Sequence, residues 1–485
     1  MRALSAGKQG FSTLELVIAL ALLSLVMGGV ILASWSSSYW AVASETSNEA
    51  LYKAKTTLED MRASAKENFF AVSSAAAVKD SDPSCADGGL CYYLQSAVLD
   101  LSSCAKYAEA IVSWQVVGYP TTTTSLFTNL TNPSEVLAQG SDCLLAQPKG
   151  QWNGLTTSAS YTLAGTPRDI DVLSGTSYIA IGQSPYLSIA KGSGIVALTN
   201  GFALEDPANA IDVARNAGSG RTYAYLAVAS TSNQFQVIDV TEPATPFLVA
   251  SVPLSVDPHG SYPQGWRVAY YAGRVYVATR ETTGPELHIF DVSLPENPLY
   301  LGSKELNTSA YGLIVRQEGS GSGAHTLAYL ATTRGKELMV LDASDPAAVS
   351  ELPGAASDLP GDADGRSIAL SGNGIYIGRA SNSGNDLYVL DASDIFSATA
   401  GLSTAMPAID IGSDVTSLRV SGQFLFVGSS KSGKQLQLFS KDGSALSPRS
   451  SISVPGLGSA SFDVEGDSIY ALSSGSPQLR IFESN

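Results

Sequence analysis

The sequence predicts two architectures in one chain: an α+β module made of a long N-terminal helix plus a small sheet, then an all-β propeller of seven blades. Three observations carry this reading. An apolar run from Leu16 to Ala33 passes into an amphipathic stretch that ends near Phe70. A unit of about fifty residues recurs through the C-terminal two thirds of the chain, a period typical of propeller blades. Only 15% of residues are charged while Gly, Ser and Thr abound, which favours short strands and turns beyond the first helix. The expected segments are a leader at 1–10, a helix at 11–70, a small disulfide-bearing region with a linker at 71–150, and the propeller at 151–485.

The helix comes first. Leu16 to Ala33 is 18 residues, just enough to span a bilayer. From Phe11 to Ser44 the only charge is Glu15, at the head of that run. A carboxylate there is costly without a counter-ion. Cleavage between Gly10 and Phe11 would create one, because the new amine at Phe11 can be neutralised by Glu15 of a neighbouring copy, fixing register between packed helices. Arg2 and Lys8, the only charges of the leader, predict that the extreme N-terminus stays cytoplasmic. Farther on, Leu51, Ala54, Leu58 and Met61 recur at helical steps opposite a polar face, so the helix continues to about Phe70.

The stretch "KQGFSTLE" resembles the processing signal of type IV pilins and pseudopilins: a short basic leader, Gly, Phe, and Glu five residues into the mature chain. The resemblance implies cleavage after Gly10 by a prepilin peptidase, methylation of the Phe11 amine, a single-pass inner-membrane precursor, and assembly with other pilin-like subunits into an extracellular filament through Glu15.

Between helix and propeller lie all four cysteines, Cys85, Cys91, Cys104 and Cys143. With no CxxC pair and no nearby histidine they fit no zinc pattern, so two disulfides are expected, Cys85–Cys91 with Cys104–Cys143 being the favoured of three pairings. "AEAIVSWQVVGY" and the Thr-rich "TTTTSLFTNLTN" read as strands. Gln147 to Gly154, punctuated by Pro148 and Gly150, reads as a linker.

The repeat then begins. "VIDVTEPATP", "IFDVSLPENP", "VLDASDPAAV" and "VLDASDIFSA" place Asp239, Asp291, Asp342 and Asp391 at matching points, with Ser440 in the Asp place of "LFSKDGSALS". Units start near 168, 209, 265, 311, 365, 415 and 459. The last lacks a fourth strand, which "TTSASYTL" at Thr156 to Leu163 can supply, closing the ring. These units are similar to the LVIVD propeller repeat. Asp and Pro most simply serve the turn after the third strand, Asp capping it and Pro fixing φ.

Aligned first strands put Asp171, Asp212, Ala269, Ile314, Ala369, Arg419 and Asp463 in one column. Ring closure makes the blades of Asp463, Asp171 and Asp212 consecutive, and three carboxylates could hold Ca²⁺. The competing reading, favoured because no further converging groups are evident, is that each Asp bonds adjacent backbone or Arg419. With three histidines and no G-x-S-x-G, no enzyme is expected.

A ligand surface is expected instead. Arg280, Arg334, Arg379 and Lys431 occupy loops between second and third strands, and Arg168, Arg267 and Arg366 start inner strands on the same face. The insert "SVDPHGSYPQGW" adds His259, Tyr262 and Trp266. Such a mouth suits an anionic glycan or a carboxylate-bearing protein ligand, the alternative being scattered solvated charge. A net charge of −16 excludes nucleic acid as a general partner. The expected function is a minor or tip subunit of a type IV pilus-type filament presenting a recognition propeller. The alternatives are a secretion pseudopilin, or a membrane-tethered calcium-dependent hydrolase.

Overall fold

The computed structural model describes residues 13–484 apart from 70–71, 81–89, 103, 116–119, 133–134, 136–137, 140–150, 192–193, 197–205, 255–262, 320–322, 334, 382–383, 398–400, 442–443 and 460. The chain forms two compact units. One comprises Met1–Asp60, Ala75–Ala97 and Glu109–Phe127; the other comprises Met61–Ser74, Val98–Ala108 and Thr128–Asn485.

The helix α1 runs Thr13–Glu67. In the first unit it buries Ala50 and Ala54, while Leu51, expected on that stripe, faces solvent. Small residues let the helix come close to the sheet, where Tyr92 is buried and Tyr92 Oη donates to Glu49 Oε2 at 3.0 Å and Thr46 O at 3.3 Å. Lys53 Nζ closes on Asp80 at 2.5 Å. The strands Ala75–Lys79, Tyr92–Ser102, Ala105–Trp114 and Thr122–Thr131 form one sheet in sequence order. Along the third strand buried and half-buried residues alternate, the buried set ending in Ala110, Val112 and Trp114.

The expected fold class is corrected. Among the described residues regular structure is nearly all β, eight four-stranded sheets against α1, a short helical stretch that includes Glu135, Ala138 and Gln139, and short 3-10 turns, and the fold is a β-propeller rather than a pilin-like α+β module joined to one. Sparse helix formers and frequent Gly, Ser and Thr past Glu67 leave the chain little but strands to build. The expected location is corrected as well: among the described residues no helix is long and apolar enough to cross a membrane. Gly10 and Phe11 lie outside the described residues, and Glu15 is placed only as a backbone position on α1.

In the second unit seven sheets make the propeller. The inner strands are Pro167–Leu173, Ala208–Arg215, Gly265–Tyr271, Ala310–Glu318, Gly365–Ser371, Val415–Ser421 and Phe462–Glu465, each followed in order by the other strands of its blade. The seventh blade takes Leu155–Tyr161 as its outer strand, antiparallel to Leu479–Ser484, so an early segment closes the ring. Trp152, expected within a linker, is instead fully buried against Phe424 and Phe426, with ring centroids 6.4 and 5.1 Å away. Its backbone sits at φ 52, held by Ser484 Oγ accepting from its N–H and Ser450 Oγ donating to its carbonyl, each at 3.0 Å.

Second and third strands are buried almost throughout and carry the core between blades, Tyr225, Phe235, Val277 and Phe290 for example. Each of the first six inner strands has a bulge after its first residue. A side chain at Gly265 would meet Gln234 O at 2.6 Å, and one at Gly365 would meet Glu337 O at 2.6 Å. The start of each of those strands is therefore pressed against the preceding blade.

Candidate functional site

Inner strands surround a cavity of about 1020 Å³. Three layers line it. At the end where inner strands begin stand Arg168, Arg267, Arg280 and Arg366 with Trp266 and Tyr311. Beneath them lie Asp169, Asp171, Asp212, Asp463 and Arg419. At the far end Arg316, Phe69, Lys106 and Gln139 line it.

The middle layer is a structural tie. Asp171 Oδ2 accepts from Val213 N at 2.6 Å, Asp212 Oδ2 from Tyr270 N at 2.6 Å, and Asp463 Oδ2 from Val172 N at 2.9 Å. Each carboxylate thus binds the next blade's inner strand to its own. Asp463 Oδ1 also accepts from Arg419 Nε at 2.9 Å. Among the described residues no group of three or more His, Cys, Asp or Glu could hold a metal ion. The calcium reading of Asp171, Asp212 and Asp463 is corrected accordingly: they point to backbone amides, not to one shared centre. Burial, then Asp212 and Asp463, pushes Asp171 well above the carboxylate range, and burial pushes Asp212 up to about 6.

The upper layer is held differently. Arg280 lies over Trp266 at 3.7 Å and Arg366 over Tyr311 at 4.3 Å, cation–π contacts that orient a guanidinium without using its N–H groups. Arg280 has no hydrogen bond or ion pair among the described residues. Arg267 donates from Nε to Tyr311 O at 2.7 Å and from Nη1 to Trp266 O at 3.0 Å, its second terminal nitrogen having no hydrogen bond among the described residues. Arg168 donates to Asn209, whose Nδ2 donates to Gly265 O at 2.7 Å. Arg366 Nη2 pairs with Asp364 at 3.1 Å. Burial and then the nearby Arg280 lower the Arg168 pKa, as expected of cations crowded without counter-ions. Trp266 Nε1 is buried with no acceptor among the described residues.

The other expected mouth residues are elsewhere. Arg379 is fully buried, donating to Pro360 O at 2.9 Å and facing Glu337 at 3.5 Å, so it belongs to the frame. Lys431 Nζ donates to Ile411 O at 2.6 Å and is not among the cavity lining. Arg334, His259 and Tyr262 lie outside the described residues, as do Cys85 and Cys143. Cys91 and Cys104 are both disulfide-bonded.

The repeat Asp residues are turn caps, as read from the sequence: Asp239, Asp291, Asp342 and Asp391 accept through Oδ1 from the amide two residues on, at 3.0, 2.7, 3.0 and 2.9 Å. A second periodic feature escaped that reading. Just before the third strand stands a side-chain acceptor, Gln234, Glu286, Glu337, Asp386, Gln435 and Gln478 in successive blades. They accept from Leu254, Leu306, Leu359, Ile411, Val454 and Leu163 N, at 2.8, 2.8, 2.7, 3.1, 3.1 and 3.0 Å. The signal was an Asp, Glu or Gln five places before each turn Asp or its equivalent.

Of the comparisons with known proteins, the match to a repeat family bears on the fold. The LVIVD repeat model matches residues 219–253 and 360–399, covering strands of the second and fifth blades. Solved structures of similar fold include the computationally designed Ika8 protein, at 10% identity and TM-score 0.43 over 68% of this chain and 99% of that one. YCF48 from Cyanidioschyzon merolae gives the same figures, 10%, 0.43, 68% and 99%. A chain of the mitotic checkpoint complex gives 13% identity and TM-score 0.46 over 70% and 94%. No curated protein matches. Together with the seven blades, the repeat match supports a repeat β-propeller.

Proposed function

We propose that the protein is a recognition subunit whose propeller binds a ligand at the arginine-lined mouth and carries out no catalysis. The observation that carries this is the contrast within one cavity: the deep carboxylates are engaged in the frame, while the Arg280 guanidinium, oriented by the Trp266 ring, has no hydrogen bond or ion pair among the described residues. Rigid cations with unused donors suit binding.

The way the propeller is presented follows from the N-terminal stretch. "KQGFSTLE" supports processing after Gly10 and a pilin-type mode of assembly, with Glu15 meeting the Phe11 amine of a neighbouring copy. Val17, Leu20, Leu23, Leu25, Val30 and Ile31 are exposed on α1, an apolar surface that other copies of the helix would cover. A propeller of more than 300 residues is bulky beside a helix about 10–12 Å across, which favours a minor or tip position in such a filament. Intact-mass measurement of the mature chain is expected to show Phe11 as a methylated first residue. A mature protein retaining Gly10 would rule out the assembly reading, and Glu15→Ala is expected to abolish co-assembly while leaving the propeller folded.

A further inference from the structure

We infer that the mouth takes a hydroxylated carboxylate, a uronic-acid-type sugar or the acidic end of a glycan built from one, with its carboxylate between Arg168, Arg267 and Arg280 and its hydroxyls turned toward the aspartate layer. This rests on the recognition reading above and names the ligand class for the same site.

Three arginines supply the donors. Arg280 contributes a whole guanidinium, Arg267 one terminal nitrogen, and Arg168 what remains beyond its bond to Asn209. Their fork geometry fits a planar carboxylate through paired N–H groups, and their orientation is already fixed, so little freedom is lost on binding. Burial and then Arg280 lower Arg168; burial also lowers Arg267, where nearby Asp169 opposes the shift and Arg280 adds to it, so an anion relieves the repulsion that Arg280 contributes.

The layer below selects among anions. Asp171 and Asp212 each use only Oδ2 on a backbone amide; the second oxygen has no partner among the described residues and belongs to a side chain lining the cavity. Asp169 uses Oδ2 on Ile211 N at 3.3 Å. A polyphosphate or sulfate ester would set further negative charge against these acceptors. A sugar acid instead offers hydroxyl donors where the acceptors are, and concentrates its charge where the arginines are. A fully apolar ring finds no platform, since the faces of Trp266 and Tyr311 carry Arg280 and Arg366.

The test is calorimetry on the full chain with trigalacturonate, against neutral maltotriose, inorganic sulfate and a hexaglutamate peptide. Trigalacturonate is expected to bind, more weakly at high salt, with maltotriose silent. Arg280→Ala should weaken it tenfold or more and Arg280→Lys less, with the melting temperature unchanged. Arg366→Ala, whose charge is already paired, should weaken it less than Arg280→Ala. Sulfate or hexaglutamate binding as tightly as trigalacturonate overturns the sugar-acid class. Trigalacturonate binding that ignores Arg280→Ala overturns the placement. If no anion binds while the native chain still attaches to a cell or glycan surface, the ligand class fails and the recognition reading survives; failure of both removes both.

Discussion

Two sets of charges line one cavity and behave oppositely. The aspartates of the middle layer tie one inner strand to the next, each with a backbone amide to answer it. Outward of them Arg280 and Arg366 rest on aromatic faces, Arg366 paired with Asp364 and the Arg280 guanidinium with no hydrogen bond or ion pair among the described residues. The first set is costly to remove because the ring loses a tie; the second is cheap to the fold and, in the proposed function, holds the ligand. A charged residue in a repeat is therefore judged by what answers it, not by its position in the repeat.

The comparison can be broken most forcefully in the frame. Glu337→Ala removes the carboxylate that faces the fully buried Arg379 and that accepts from Leu359 N. An uncompensated buried cation makes this cost about 3–5 kcal/mol, seen as a large drop in the denaturant midpoint. A loss of under 1 kcal/mol would show that the buried pair does not belong to the frame.

Next in size is Asp171. Asp171→Ala leaves Val213 N without its acceptor and should cost about 1–3 kcal/mol. Asp171→Asn keeps an acceptor and removes the charge, so it should be no less stable than the native chain at pH 8, a difference readable by chemical denaturation.

Glu286 sharpens the comparison through pH. Burial raises it to about 7, so the folded state holds its proton where the unfolded chain has released it. The sign follows: its contribution is fully present below about pH 4.5 and is lost as pH rises through about 7. Glu286→Gln, which matches Gln234, Gln435 and Gln478 of other blades, should flatten the fall in melting temperature between pH 5 and pH 8 that this group causes.

The smallest effect couples the two layers. Asp212, raised to about 6 by burial, gains its negative charge as pH rises through that value, beneath the mouth. Affinity for an anion should therefore be a few-fold higher at pH 5 than at pH 7.5. Asp212→Asn should remove most of that difference, and an unchanged pH profile would mean the layers do not sense one another.

Much of this was legible in the chain. The spacing of Asp239, Asp291, Asp342 and Asp391 located the third strands and their caps, and the missing strand of the last unit pointed to Thr156–Leu163 as the closing one. The clip acceptors were equally periodic but changed identity between Gln, Glu and Asp, so no single letter repeated. Trp152 looked like part of a linker because Pro148, Gly150 and Gly154 surround it; only packing against Phe424 and Phe426 makes it core.

By itself, then, the sequence determined the blades, because a strand's two-residue period and a turn's capping need are local and are written in consecutive residues. It also determined that cations and aspartates would share the inner strands. Tertiary structure alone decided which of them were answered: Arg379, the last residue of its second strand, went into the frame, and Arg280, one place past the end of its own second strand, went onto an indole face. The reason is that a counter-charge or an aromatic face comes from a part of the chain distant in sequence, and local pattern holds no information about which one arrives.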